Sequence, residues 1–330
     1  MEKFIYRSDL ALEMKEQIED DFNEVYESYQ DSSITVEKIN LDSDYNEFNK
    51  KKGFYLSLRF EDIEIEHNRE EIIDVLTREL MKLFDGYDLT SGSKVLVVGL
   101  GNELLSCDAL GPFLQDGLLV TNHIDEEILR QESLKRVALL IPRVKGQTGL
   151  ETAEVVMGVT DLFKPELVIV VDALATKSMR RVHRVIQISD TGIHPGSGVG
   201  NYTKEINSET LKCPVLAIGV PTVVDVASIS YDVIELMERY FADNIANPSS
   251  KLKVGKREQY QGELDQNQKE LLFGEIGKLN DDEKRILLNE IIEPVGLNMI
   301  VTSKSVDEEV KQLSKIISHS LNQALHYQGT

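Results

Sequence analysis

Two aspartates that follow apolar runs in the middle of the chain are the strongest candidates for catalytic chemistry. Asp172 closes the run LVIVVD, and Asp108 lies in the segment GLGNELLSCDALGP, which follows the run VLVV. In an open α/β sheet, ligands bind outside the carboxyl ends of the strands. Two carboxylates held close together there cannot both ionise easily, so they share a proton. One can then deprotonate a water molecule while the other protonates a scissile carbonyl oxygen.

Other interpretations of the two aspartates stay open. Taken singly, Asp108 and Asp172 each suit the start of a helix, because an Asp side chain accepts hydrogen bonds from free backbone amides at an N-cap. Taken together, the two carboxylates are also suitable ligands for a divalent metal ion.

The remaining motifs are weaker. Gly99-Leu-Gly101 lacks the third glycine of a dinucleotide-binding loop, since position 104 is Leu. A single DTG tripeptide at 190–192 within an α/β pattern favours a plain turn over a pepsin-like site. The small residues of HPGSGVGN over 194–201 predict a mobile loop or a binding loop that approaches a ligand with its backbone. This loop lacks the spacing of a nucleophile elbow, so Ser197 is a poor candidate nucleophile. Cys107 adjoins Asp108, and a neighbouring carboxylate disfavours a thiolate nucleophile.

The segments that must position these residues are apolar and alternate with helical patterns. The uninterrupted runs are typical of strands buried on both faces of a parallel sheet; they cover Val95–Val98, Val137–Ile141, Leu167–Val171 and Val215–Ile218. Helices are predicted between them over 109–120 and 150–162. The sequence therefore predicts an open α/β sandwich with a mostly parallel central sheet.

The flanking regions differ in pattern from the centre. The periodicities predict a helix over 10–26, a half-buried strand over 54–60, a helix carrying the apolar positions of 72–83, an exposed loop or insertion over 246–270 and a C-terminal helix over 305–326. The helical and charged insertions are expected at the periphery of the sheet.

Composition excludes several classes of function. Lys and Arg number 36 against 57 Asp and Glu, so the net charge is −21, which repels a phosphate backbone and argues against direct nucleic-acid binding. The two cysteines cannot build a disulfide framework and suit a reducing cytosol. No apolar run approaches the length of a membrane span, and the N-terminus lacks a signal-peptide pattern. We expect an acidic cytoplasmic protein.

Six segments, in this order, resemble the germination proteases of endospore-forming bacteria: SDLALE (8–13), GLGN…DALGP (99–112), GQTGLET (146–152), VDALAT (171–176), ISDTGIHPGSGVGN (188–201) and GVPTVVD (219–225). The resemblance implies an atypical aspartic endopeptidase, made as a zymogen, with a fold like that of hydrogenase maturation proteases. It also implies a homotetramer of the forespore and spore core that degrades small acid-soluble spore proteins during germination and needs no cofactor or metal. The family's catalytic aspartates correspond to Asp108 and Asp172.

The resemblance also implies self-cleavage. Family substrates are cut after an acidic residue and before a bulky apolar one, in a context like Thr-Glu-Ile-Ala-Ser-Glu, and Ser8–Glu13 resembles that string. We therefore expect cleavage between Asp9 and Leu10, with a propeptide over 1–9 and one peptidase domain over 10–330, whose catalytic core spans 94–235. The alternative is that 8–13 simply starts a helix.

A pocket that selects an acidic residue requires a cation. Candidates in or beside the motifs are Arg143, Lys145, Arg180 and Arg181. Further substrate-binding candidates are His194, Gly196, Ser197 and Gly198 in the glycine-rich loop. The sequence departs from the family pattern at ELLSC, before Asp108, and at Arg143 and Lys145, which leaves substrate preference open.

Two rival functions follow from the same residues. The first is a metal-dependent peptidase that uses Asp108 and Asp172 as ligands, with His194 as the histidine nearest to the site. The second is a non-catalytic paralogue that binds spore proteins without cutting them.

Overall fold

The computed structural model describes residues 10, 26–44, 50–195, 204–246, 260–296 and 299–326. Within the range 10–330, for which the sequence predicts one domain, the chain forms two compact units. Unit 1 comprises Met1–Thr176, Arg181–Val223 and Thr302–Thr330; unit 2 comprises Lys177–Arg180 and Val224–Val301.

The described residues form strands and helices with the following bounds. The strands are β1 (Tyr26–Asp31), β2 (Ile34–Leu41), β3 (Gly53–Arg59), β4 (Lys94–Gly99), β5 (Arg136–Leu140), β6 (Leu167–Thr176), β7 (Val185–Ser189), β8 (Val215–Asp225) and β9 (Ile300–Val301). The helices are α1 (Glu66–Phe84), α2 (Glu126–Gln131), α3 (Lys145–Thr148), α4 (Thr152–Phe163), α5 (Ser208–Leu211), α6 (Val226–Ala246), α7 (Gln266–Phe273), α8 (Glu275–Lys278), α9 (Asp281–Ile292) and α10 (Val306–His326).

One sheet runs in the order β1-β2-β3-β7-β8-β6-β4-β5, with β9 paired to the end of β8. The strands β6, β4 and β5 are parallel, whereas β1, β2, β3, β7 and β8 pair antiparallel in turn. The predicted α/β class is confirmed. Three of the four apolar runs lie in the parallel strands β4, β5 and β6, and the fourth, Val215–Ile218, lies in β8. The antiparallel strands β1, β2, β3 and β7 widen the sheet beyond what those runs predict.

The apolar runs are continuous because both faces of the parallel strands are covered. Along β4, Val95 and Val97 belong to the core beneath α1 and α10, while Leu96 and Val98 pack with the α4 side. Successive side chains of a strand point to opposite faces, so both sets must be apolar. The amphipathic helix α10 packs along α1 and buries Leu313, Ile317 and Leu321.

Three predicted elements differ in the structure. The helix expected over 109–120 is replaced by a short 3-10 turn, Pro112–Asp116, because Gly111 is held against the backbone of Leu100. Residues 11–25 of the helix expected over 10–26 lie outside the described residues, and Tyr26 already begins β1. The loop expected over 246–270 ends in helix α7, whose N-cap Asp265 accepts a hydrogen bond from the backbone of Gln268.

Unit 2 is built around α6, the helix that follows β8. In it, the buried Lys284 of α9 lies 2.8 Å from Glu238 of α6. The guanidinium of Arg285 stacks 3.7 Å above the ring of Tyr231. Among the described helices of both units, none combines the length and apolarity that crossing a bilayer requires.

Candidate active site

Glycines fold the loop after β4 back against its own strand. Gly101 has φ +116°, and a Cβ there would overlap the carbonyl oxygen of Asp108. A Cβ at Gly99 would overlap the backbone of Gly111, and one at Gly111 would overlap Leu100. Only glycine permits such backbone contacts. The glycines of GLGN and DALGP are therefore required where the backbones of these two segments are in contact.

Asp108 is fixed by main-chain hydrogen bonds within this loop. The Asn102 N–H donates to the carbonyl oxygen of Asp108 at 2.9 Å, and the Asp108 N–H donates to Leu105 at 2.7 Å. The 3-10 turn Ser106–Asp108 packs against β6. From β8, the Thr222 hydroxyl donates to the carbonyl oxygen of Cys107 at 2.6 Å.

The Asp108 side chain is partly buried. Burial raises its pKa from the ordinary 3.8 to about 6, and a hydrogen bond from the Asn102 backbone opposes part of that rise. Burial, and then the Asp108 charge, raise the pKa of the neighbouring Cys107 thiol. A thiol in this condition is a poor nucleophile, as the sequence predicts.

Asp172 lies inside a strand, and the prediction that the strand ends there is wrong. The strand β6 continues to Thr176. Its pairing with β4 does end here, because Gly99 is paired with Val171 and the Leu100 N–H donates to the Val171 carbonyl at 2.8 Å. Asp172 is therefore the first residue of β6 beyond the paired part of β4. It is 6% exposed, and its Oδ1 accepts a hydrogen bond from the Ala173 N–H at 2.9 Å.

The two aspartates lie near the same edge of the sheet. Gly101 lies against Asp108, the 3-10 turn that ends in Asp108 contacts β6, and the Leu100 N–H donates to the carbonyl of Val171, the residue before Asp172. Neither aspartate caps a helix, since Asp108 ends a 3-10 turn and Asp172 is within a strand. The catalytic roles of the two carboxylates stay a prediction.

The segment that carries the candidate cations Arg143 and Lys145 contacts the loop of Asp108. Gln147 donates to Asn102 Oδ1 at 2.8 Å, and Arg143 Nη2 lies 2.7 Å from Glu103 Oε1. Lys145 Nζ lies 3.0 Å from Glu151 Oε2. Arg143 and Lys145 are each more than half exposed. Both cations thus have carboxylate partners within the described residues.

The glycine-rich loop is only partly described. His194 lies 3.4 Å from Glu205 and is half exposed. Gly196, Ser197 and Gly198 lie outside the described residues, as does Asp9. The DTG segment is structural, because Asp190 Oδ1 accepts a hydrogen bond from the Phe54 N–H at 2.7 Å and so fixes the start of β3. Within the described ranges, no group of His, Cys, Asp and Glu side chains has the arrangement of a metal site.

Leu10 lies beside several residues that the sequence did not single out. It is 1% exposed and packs with Leu174 of β6 and Val185 of β7, and Ile193 packs against the same cluster. A small cavity beside Leu10 is also lined by Glu37, Arg59 and the predicted candidate Arg181. No sequence pattern joins these residues, because they come from separate segments of the chain.

Fold and site together define a mixed α/β protein with two aspartates at one edge of its sheet. Over residues 5–329 the chain matches the family model described as germination protease. A germination protease of Bacillus cereus (strain AH187) is 37% identical over 355 aligned residues, covering 99% of this chain and 95% of that protein. One from Bacillus mycoides (strain KBAB4) is 36% identical with the same coverage. The chain belongs to the germination protease family and is a peptidase.

Among solved structures, a nickel–iron hydrogenase maturation protease from Thermococcus kodakarensis is similar to this chain. It is 14% identical with a TM-score of 0.27, covering 65% of this chain and 99% of that one.

Proposed function

We propose that this chain is an endopeptidase of aspartic type that begins the degradation of small acid-soluble spore proteins, and that it first cuts itself between Asp9 and Leu10. The observation that carries the proposal is the placement of Asp108, whose pKa is raised to about 6, at the same sheet edge as the buried Asp172. A carboxyl group that holds a proton near neutral pH can act as a general acid beside a second carboxylate that acts as a base.

In this mechanism, Asp108 carries the proton and Asp172 is the base. Asp172 takes a proton from water as the water oxygen attacks the scissile carbonyl carbon. Asp108 gives its proton to the carbonyl oxygen, so that a neutral tetrahedral diol forms. The C–N bond then breaks as the nitrogen takes a proton from Asp172 and Asp108 recovers one from the diol. One water is consumed, and both carboxyl groups return to their starting state.

Selection of an acidic residue before the cut is assigned to Arg181. Arg143 and Lys145 are each more than half exposed to water. Arg181 is 9% exposed and lines the same cavity as Leu10, the residue that follows the proposed cut. A buried guanidinium binds a carboxylate more strongly than an exposed one does, because water competes less.

The biological setting is part of the proposal. The family name supports a role in spore germination, and the proposed location is the forespore and spore core. Assembly as a homotetramer and the absence of direct nucleic-acid binding belong to the same proposal; the net charge of −21 supports the latter.

Digestion of a purified small acid-soluble spore protein tests this function. Mass spectrometry should find products whose new C-terminus is acidic and whose new N-terminus is a bulky apolar residue. The same digestion with a chelator separates the rivals: unchanged cleavage supports the aspartic mechanism, and cleavage lost with chelator and restored by a divalent metal supports the metal-dependent one. Binding without any product would favour the non-catalytic paralogue.

A further inference from the structure

Leu10 occupies a built apolar pocket. The pocket consists of Leu174, Val185 and Ile193, which pack with it, and we refer to it as the Leu10 pocket. Gly219 of β8 leaves space for the Leu174 side chain, because a Cβ at this position would overlap it. A leucine only nine positions from the start of the sequence is thus as deeply buried as the core of the sheet.

The pocket adjoins the candidate catalytic residues. Leu174 is two residues after Asp172 on β6, so both side chains leave the same face of the strand, roughly 7 Å apart along the chain. An extended peptide that has one residue in this pocket and its preceding residue toward Asp172 places the peptide bond between them about one residue's length from Asp172. The pocket is therefore within reach of the residue that follows a bond cut at Asp172.

A polar group beside the pocket supports a bound chain rather than simple core packing. Ser57 is 1% exposed and lines the cavity next to Leu10. Its hydroxyl has no hydrogen-bond partner among the residues that the structure describes. Buried hydroxyls are normally satisfied, and the backbone of a peptide lying across this face offers both donors and acceptors.

We propose that the Leu10 pocket is the specificity site for the apolar residue that follows the cut, and that Leu10 fills it in the unprocessed chain. Leu10 is then both the first substrate residue to use the pocket and the group that excludes other substrates from it. This inference rests on the proposed self-cleavage, since it assigns Leu10 to the position after that cut.

Peptide binding tests the pocket without any cleavage. We compare two full-length variants, Asp108→Asn alone and Asp108→Asn with Leu10→Ala. The quantity measured is the affinity of each variant for the peptide Ser-Asp-Leu-Ala-Leu-Glu, which repeats residues 8–13. Removing the Leu10 side chain should tighten binding of this peptide by on the order of tenfold, because the pocket becomes free for the peptide's first leucine. The affinity for the control peptide Ser-Asp-Ala-Ala-Leu-Glu should increase little, because this peptide has no leucine to place in the pocket.

A second variant keeps the test decisive if Leu10→Ala unfolds the chain. Val185→Ala combined with Leu10→Val enlarges the pocket and leaves it only partly filled, so the binding preference should shift several-fold toward a peptide with Phe in place of its first Leu. Ala replacement of Leu129, a buried leucine of α2, is the matched control and should shift nothing. Equal binding of the leucine and alanine peptides in every variant would overturn the pocket. Failure of the wild type to cut itself would instead overturn the proposed function, and the binding results would still decide the pocket.

Discussion

The pH dependence of stability provides a direct test of the Asp108 environment. A carboxyl group whose pKa is raised by folding binds its proton more tightly in the native state than in the unfolded state. Its contribution to the free energy of unfolding is therefore fully present in acid and is lost as the pH rises from about 4 to above 6. Asp108→Asn removes this titration while keeping nearly the same shape. The Asp108→Asn variant should gain stability over the wild type as the pH rises.

The size of the effect follows from the two pKa values. Raising the pKa from 3.8 to about 6 corresponds to about 3 kcal/mol in total. About 2 kcal/mol of this stabilisation is lost between about pH 4.5 and about pH 8. The remainder is lost below about pH 4.5, where the unfolded side chain is itself still becoming ionised. The stability difference between the Asp108→Asn variant and the wild type should increase by about 2 kcal/mol from about pH 4.5 to about pH 8.

Urea unfolding at several pH values measures this difference. Asp116→Asn, which removes the carboxylate of an exposed aspartate in the next turn of the same loop region, is the matched control. A stability difference between Asp108→Asn and the wild type that stays constant or falls with pH would refute the inference that Asp108 holds a proton near pH 6.

Three further predictions concern activity. The self-cleavage rate should fall about tenfold for each pH unit well above 6, as the proton on Asp108 is lost; a rate that rises there would exclude Asp108 as the acid. Arg181→Gln should lower kcat/KM about 10–100-fold on substrates with an acidic residue before the cut. Arg180→Gln, at an exposed arginine, is the control and should leave kcat/KM nearly unchanged. Equal losses of kcat/KM in both variants would exclude a specific role for Arg181. Gly101→Ala should destabilise the chain by about 1–3 kcal/mol or more and abolish cleavage, because its Cβ overlaps the Asp108 backbone; Gly158→Ala, with open space around its Cβ, should be tolerated in both calorimetry and digestion.

Local sequence patterns predicted the parts of the fold that local physics determines. The run Val95–Val98 is apolar throughout because both faces of β4 are covered, and alternation over 54–60 marks a strand that became β3. The strand β2 was missed although Ile34 and Val36 alternate with polar residues as in a half-buried strand. The strand β1 was missed because the pattern of Tyr26–Asp31 is polar and largely exposed. A polar edge strand gives no hydrophobic period to detect.

Tertiary contacts determined what the sequence did not predict. The helix expected over 109–120 gives way because Gly111 lies against Leu100, a contact between segments eleven residues apart. The sequence predicted that the strand ends at Asp172, yet β6 continues to Thr176 and carries Leu174 into the Leu10 pocket. Pockets formed by separate strands leave no periodic signal, so they emerge only from the folded chain.

Intact-mass measurement after a shift from neutral to mildly acidic pH tests the central claim most directly. Wild type, Asp108→Asn and Asp172→Asn are compared over time, with and without a chelator. The proposed mechanism predicts that only the wild type loses residues 1–9, at the same rate in both conditions. Loss of the same segment in both variants, or a wild type that stays full length throughout, would contradict an aspartic pair formed by Asp108 and Asp172.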